Sequence, residues 1–431
     1  MTDALRVQYE AYPYPSRDPV DEDRRLVTGS PSRLDQLNHY VFGGRLDFTA
    51  PLRVLVAGGG TGDATIMLGQ QLRDAGVPAE IVCLDLSGTA LEIAGARSRR
   101  RGLTGIGFHR ASLLDLEPAG WGRFDYIDCC GVLHHLEDPA AGLSALASVL
   151  APGGGIGLMV YAPYGRNGVY PLQDALRTLC ADLAIGERVA LARRLVRQLP
   201  PGNGLRNNPH LGDHLASDAG LYDLLLHSRD RAFTVPELAA LVGACGLALT
   251  ALIEPALYEP ASYIRDPQLL KRLEGLPWLE RAAWAEQVGG VLAKHIAYLV
   301  RPGDVARAVA GPADGEAVPV LCDLDGKALA SGLRPGAVLD ATLSGLTLAL
   351  PLPRLAGPLL ARIDGRTNLA ALHGSLMVLD RGLTWETFRR QFDALHALLN
   401  GIGKLYLRWP GLKGPGQGRT GPAGIGAGDG V

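Results

Sequence analysis

Residues 53–62 read Arg-Val-Leu-Val-Ala-Gly-Gly-Gly-Thr-Gly, and this stretch decides the fold. Arg53 to Ala57 is a short apolar run that stops in glycines, which predicts a buried strand. Residues 63–75 then read as a helix, and Gly76 is placed to end it in the left-handed conformation. The first unit is therefore strand, glycine turn, helix. The turn holds Gly58, Gly60 and Gly62 at the spacing G-x-G-x-G. Glycine is needed there because the backbone must turn with positive φ and let a ligand come close.

Working outward, the same rhythm repeats. Residues 81–86 form the next strand, and 88–101 form a helix closing on Arg99-Arg100-Arg101, whose charges complement its dipole. Strands follow near 105–110, 124–130 and 155–162, with a helix at 138–150 between the last two. Such alternation predicts an α/β fold with a Rossmann-like, mostly parallel sheet. Residues 165–230 break the rhythm: 172–199 look helical and 200–209 look like a loop. A helical insertion of this kind is expected to act as a lid. Thr234-Val-Pro-Glu237 is a capping box with proline in the first turn, so a helix starts there and runs to Gly246. Strands near 247–253 and 295–300 complete the sheet.

The expected organisation is a polar, irregular N-terminal cap segment at 1–50, then a domain at 51–301 that carries the insertion at about 165–230. A linker rich in Gly, Ala, Pro and Asp follows at 302–318. A small α+β domain at 319–410 precedes a glycine-rich tail at 411–431, expected to be disordered. A polar linker implies few contacts across it, so a chain ending near Arg301 is expected to fold alone.

A chain of 431 residues, 47% hydrophobic, has room for two or three cores. Its net charge of −2 argues against bulk capture of nucleic acid. None of the six cysteines falls in a C-x-x-C pair, so no zinc site, and no metal, is expected. Unpaired cysteines in apolar runs suit a reducing cytoplasm. The first residues carry no apolar signal segment and no run of 18 apolar residues occurs, so no membrane association is expected.

The chemistry is written after the strands. A dinucleotide fingerprint, G-x-G-x-x-G, would put its third glycine at position 63, where this chain has Asp63. An acid there opposes a pyrophosphate and favours a cofactor without phosphate. Asp85 ends the second strand, 27 residues beyond Gly58. A carboxylate in that place can accept both ribose hydroxyls. It could instead cap the next helix, although Ser87 is better placed for capping. Then come Phe124-Asp-Tyr-Ile-Asp-Cys-Cys-Gly-Val-Leu-His-His-Leu-Glu-Asp-Pro139 and Val149-Leu-Ala-Pro-Gly-Gly-Gly-Ile-Gly-Leu158.

In this order, the glycine turn, the acid, the Leu-His-His-Leu run and the Val-Leu-x-Pro-Gly-Gly pattern resemble class I S-adenosylmethionine-dependent methyltransferases. The Leu-His-His-Leu segment is similar to their ubiquinone/menaquinone-biosynthesis branch. The resemblance covers about 50–165 closely and 230–300 loosely. It implies S-adenosyl-L-methionine as cofactor, with Gly58, Gly60 and Gly62 at the methionine portion, Asp85 at the ribose, and Ser112 and Leu113 beside the adenine. Cys130 and Gly131 would line the end of the fourth strand. Two positions depart from the family: Val56 stands where an acid usually precedes the first glycine, and Ser112 stands where an acid usually meets the adenine amino group. Two other readings remain open at this point, an NAD-dependent oxidoreductase on the same sheet and a non-catalytic methyltransferase-like scaffold that binds peptides.

Methyl transfer from a sulfonium asks the protein chiefly for alignment. His134 and Tyr14 are the candidate catalytic groups, although Leu-His-His-Leu more often shapes a turn. Tyr12, Tyr14 and Arg17 lie in a Tyr-Pro-Tyr-Pro segment of the kind that folds over the site in related enzymes. Tyr161, Tyr164 and Arg166 follow the fifth strand, where such folds place substrates. These six are the candidate substrate residues, for a small-molecule or peptide acceptor. The C-terminal domain resembles a winged helix, and its Ile363-Asp-Gly-Arg-Thr367 run is similar to small precursor-peptide-binding domains. Oligomeric state is left open.

Overall fold

The computed structural model describes residues 3–312 and 315–409. Its centre is a seven-stranded sheet built from β1 (Leu52–Ala57), β2 (Ala79–Asp85), β3 (Ile106–Arg110), β4 (Phe124–Cys130), β5 (Leu150–Tyr161), β6 (Ala248–Ile253) and β7 (Lys294–Val300). The strand order is β3-β2-β1-β4-β5-β7-β6. The first five strands pair in parallel, and β7 runs antiparallel to both β5 and β6. Alternate residues of β1 serve opposite faces: Val54 and Val56 join a core with Leu68 and Leu72, while Leu55 and Ala57 join one with Leu143 and Leu238. That two-sided burial is why β1 reads as an unbroken apolar run. The order reverses between β1 and β4, and α/β sheets bind their ligands at the carboxyl ends beside such a switch point.

The predicted elements are present within a few residues. The helix after the glycine turn is Asp63–Ala75, closed by Gly76 at φ 70°. The capping box at Thr234 and Glu237 opens the helix Val235–Ala244. Three expectations need correction. The stretch 172–199 is two helices, Val169–Leu179 and Ile185–Val196, parted by a turn at Cys180 to Leu183. The N-terminal 50 residues are not irregular: they hold the helices Asp3–Ala11 and Leu34–Val41. The second is buried at Leu34 and at every position from Gln36 to Val41. Its polar members Gln36, Asn38 and His39 disguise it, and each is hydrogen-bonded inside.

The third correction concerns the linker. Residues 305–308 are helical, the Gly43 N–H donates to the Ala308 carbonyl at 2.7 Å, and the Ala310 N–H donates to that of His39 at 2.8 Å. The segment is docked on the first domain. Beyond it lie β8 (Val318–Leu321), β9 (Val338–Leu343), β10 (Leu346–Pro351) and β11 (Leu405–Arg408). β9 and β10 form a hairpin whose two turn residues, Ser344 and Gly345, both have positive φ, as a tight hairpin requires. β8 pairs antiparallel with β11. The helices Leu369–Met377 and Trp385–Gly401 pack around Phe388, Phe392 and Leu395, giving the small α+β unit. The tail expected to be disordered, 411–431, lies outside the described residues.

Candidate active site

The glycine turn sits at the carboxyl end of β1. Gly58, Gly60 and Gly62 have φ of 75°, 52° and 102°, values that side chains resist. Space is equally restrictive. A Cβ on Gly58 would lie 2.3 Å from Val132 Cγ2, and one on Gly60 would lie 2.6 Å from the Tyr14 carbonyl oxygen. Val56 is buried in β1, facing Asp128 across the sheet register.

Asp85 ends β2 opposite this turn. Its Oδ2 accepts the Gly60 N–H and its Oδ1 accepts the Ser87 N–H, both at 2.8 Å. Ser87 caps the following helix, its Oγ accepting the Ala90 N–H. The capping role therefore belongs to Ser87. Burial pushes the Asp85 carboxyl up, against those backbone N–H groups. No cation pairs with it among the described residues. The Leu86 N–H also bonds to it, so a carboxylate with about four acceptor sites keeps one. The glycine cradle and this pre-oriented carboxylate fit a nucleoside with a free ribose hydroxyl.

An N-terminal strap crosses the turn. Glu10 accepts the Gly88 N–H at 2.9 Å and the Thr89 hydroxyl at 2.6 Å. The Thr89 hydroxyl, then the Gly88 N–H, hold the Glu10 carboxyl down at about 2. The Thr61 hydroxyl donates to the Pro15 carbonyl at 2.7 Å. Arg17 then forms a fork with Asp63. Asp63 also meets Arg97 at 2.7 Å, and Arg97 is buried against Glu22. The acid in place of the third glycine thus anchors the strap.

The other predicted residues fall in two places. Ser112 caps the short turn Leu113–Asp115 after β3, and Leu113 is buried. Cys130 ends β4, its thiol pushed up to about 12 by burial, and Gly131 follows at φ 80°. The His134 ring stacks on Tyr161 with centroids 3.8 Å apart, and its Nδ1 accepts the Tyr161 N–H at 3.3 Å. Burial holds its pKa well below the ordinary value, so the ring is neutral. The Arg166 guanidinium covers the opposite region of Tyr161, 3.6 Å from the ring centroid, and pairs with Asp230 at 2.7 Å. Tyr14 donates to Asp213 at 3.1 Å, and Tyr12 stacks on Tyr222. Tyr164 is 37% exposed and makes no hydrogen bond to this group among the described residues.

The sequence reading missed Tyr9, Asp213, Asp223, His227 and Asp230. Asp223 accepts from the Tyr161 hydroxyl at 2.9 Å and the Tyr9 hydroxyl at 3.3 Å. Four of these five lie in the insertion, which was read only as a lid. Asp223 lies in the π-helical turn Tyr222–Leu226 and His227 just beyond its end, so no α-helical spacing signals the pair.

Comparison with known proteins places these features in a family context. Residues 55–156 match the family model described as a methyltransferase domain. A protein of Synechococcus sp., described as uncharacterised, is 33% identical over 270 residues, which are 60% of this chain and 62% of that one. The ubiquinone biosynthesis O-methyltransferase of Aromatoleum aromaticum is 31% identical over 137 residues, 32% of this chain and 53% of the relative. The chain thus spans less than two thirds of these relatives. The solved structure of PKMT2 from Rickettsia typhi in complex with AdoHcy is 14% identical, with a TM-score of 0.61 over 90% of this chain and 77% of that one. At that identity the likeness concerns the fold.

Proposed function

We propose that this chain, whose residues 55–156 match the family model of a methyltransferase domain, is a class I enzyme that transfers a methyl group from S-adenosyl-L-methionine to a small-molecule or peptide acceptor. The observation that carries the reading is Asp85, a buried carboxylate locked in place by the Gly60 and Ser87 N–H groups and facing a turn with glycine at 58, 59, 60 and 62. In this reading Asp85 holds the ribose, Gly58, Gly60 and Gly62 leave room for the methionine portion, and Cys130 and Gly131 close that end. Ser112 and Leu113 border the adenine. The cofactor, when bound, supplies an activated methyl on a sulfonium, so the chain's task is to align an acceptor and exclude water. The strap through Tyr14 excludes water above the turn. Tyr14, Tyr161 and the Arg166–Asp230 pair border the acceptor.

Asp63 speaks against the nicotinamide alternative, because its carboxylate stands in the first position of the helix whose start a pyrophosphate would need. The six cysteines form no disulfide, which accords with a cytoplasmic setting. No helix among the described residues is long and apolar enough to cross a membrane. Calorimetry with S-adenosylhomocysteine and with NAD tests the reading. Binding of the first alone is expected; binding of NAD alone, or of neither, would overturn it.

A further inference from the structure

Behind the acceptor side lies a group that the proposed methyl transfer does not use. His135 comes from the turn after β4. Asp223 and His227 come from the insertion, where residues Tyr222–Leu226 form a π-helical turn. Such turns recur at functional sites. All three side chains are buried, at 5%, 3% and 2% exposure. One ligand atom from each lies within 4.8 Å of the other two.

We propose that His135, Asp223 and His227 form a binding site for a divalent first-row transition-metal ion. Two imidazoles and a carboxylate are a ligand set suited to zinc, cobalt or iron(II), with positions left for water or a substrate oxygen. The surroundings are those of ligands. His135 Nδ1 donates to the Arg229 carbonyl at 2.8 Å. That bond fixes the tautomer and leaves Nε2 as the free ligand atom, the usual outer-shell arrangement of a metal-bound histidine. Asp223 accepts from the hydroxyls of Tyr9 and Tyr161, which orient it. It has no cationic partner within ion-pair distance among the described residues, and the nearby Arg166 is already paired with Asp230. A buried carboxylate without a countercharge is costly, and a divalent cation would supply one.

Coordination asks for local movement. The two histidine rings stack with centroids 3.7 Å apart, whereas rings bound to one tetrahedral ion at about 2.0–2.1 Å stand farther apart. The His227 ring also meets the Tyr9 hydroxyl at 3.2 Å through Nε2 and the Arg229 N–H at 3.1 Å through Nδ1. Binding therefore turns this ring and releases one of these contacts. Tyr9 belongs to the strap, so metal occupancy and strap position are coupled.

The test uses the full-length protein, treated with a chelator and titrated with Co²⁺, followed by visible absorption and then displacement with Zn²⁺. One equivalent is expected, with the strong visible bands of a four- or five-coordinate site. Asp223→Asn, which keeps the side-chain shape, and His227→Ala should each weaken binding by about tenfold or more. His109→Ala, beside Trp121 and outside the group, should bind as wild type. Circular dichroism checks that each variant is folded. If His227→Ala does not fold, wild type and Asp223→Asn still decide the matter. Failure of the wild type to bind one equivalent, or unchanged affinity in folded Asp223→Asn, would overturn the proposal.

Discussion

Gln36 donates through Nε2 to the Tyr406 hydroxyl at 2.9 Å, while its Oε1 lies 2.9 Å from the hydroxyl of Tyr298. One buried amide therefore joins the helix Leu34–Val41 to β7 of the central sheet and to β11 at the far end of the chain. Tyr406, 1% exposed, packs in the same core as Tyr40, Tyr298 and Val54. Truncation after Arg301 removes this ring, the Leu407 N–H that His39 accepts and the Asn400 side chain that Tyr40 holds. Buried polar groups left without partners cost about 1–3 kcal/mol each, and the exposed core adds to that. The truncated protein is expected to be insoluble or to melt well below the full chain. A soluble truncation binding S-adenosylhomocysteine within about threefold, roughly 0.7 kcal/mol, would restore the autonomy inferred from the polar linker.

Asp85 carries backbone bonds as well as its proposed ribose contact, so loss of affinity alone would be ambiguous. A cycle removes the ambiguity. Wild type should bind S-adenosylhomocysteine more tightly than its 2′-deoxy analogue. Asp85→Ala should weaken the parent ligand by about 1.5–3 kcal/mol and bind the two compounds alike. Calorimetry that shows the same preference in a folded variant would take Asp85 away from the ribose.

For the glycine turn, Gly60→Val should abolish binding of S-adenosylhomocysteine while most of the helical signal stays. A β-branched residue resists φ of 52°. Its Cβ would also press on the Tyr14 carbonyl, displacing the strap. Normal affinity by calorimetry would move the cofactor elsewhere.

How far the sequence could be read depended on who hides each residue. The β1 turn and Asp85 are local signals, because strand, glycine and acid lie within one chain segment and their spacing survives in the linear text. The helix Leu34–Val41 is buried on nearly every side, so no polar face reveals its period. Its Gln36 and His39 look like surface residues until partners hundreds of positions away satisfy them, and Asn38 until the Leu46 N–H eight residues on does so. The same holds for Asp223 and His227: their meaning depends on His135, about 90 residues earlier, which no spacing rule connects to them. Arg166 is legible as a candidate substrate residue after the fifth strand, whereas its partner Asp230, 64 residues on, is not.

Two histidines at the junction between the domains give a pH dependence. His39 is 1% exposed, and burial, reinforced by the charge of His396, pushes its pKa down to about 3. Burial brings His396 down to about 4, and its Nε2 has no hydrogen-bond partner among the described residues. In the unfolded chain both protonate near 6.5. Below that pH the unfolded state takes up protons that the folded state refuses, so stability is lost as pH falls from about 6.5 toward 4. Each histidine adds a slope of up to about 1.4 kcal/mol per pH unit. Replacing His396 by leucine removes one such group without orphaning a donor or acceptor. The Tm of His396→Leu should therefore fall less steeply than that of wild type between pH 6.5 and 4. At pH 7.5 and above, where neither form is protonated, the offset between the two proteins should be constant. Parallel Tm curves across the acid range would mean that His396 takes up its proton in the folded protein, and that the junction opens before the domains unfold.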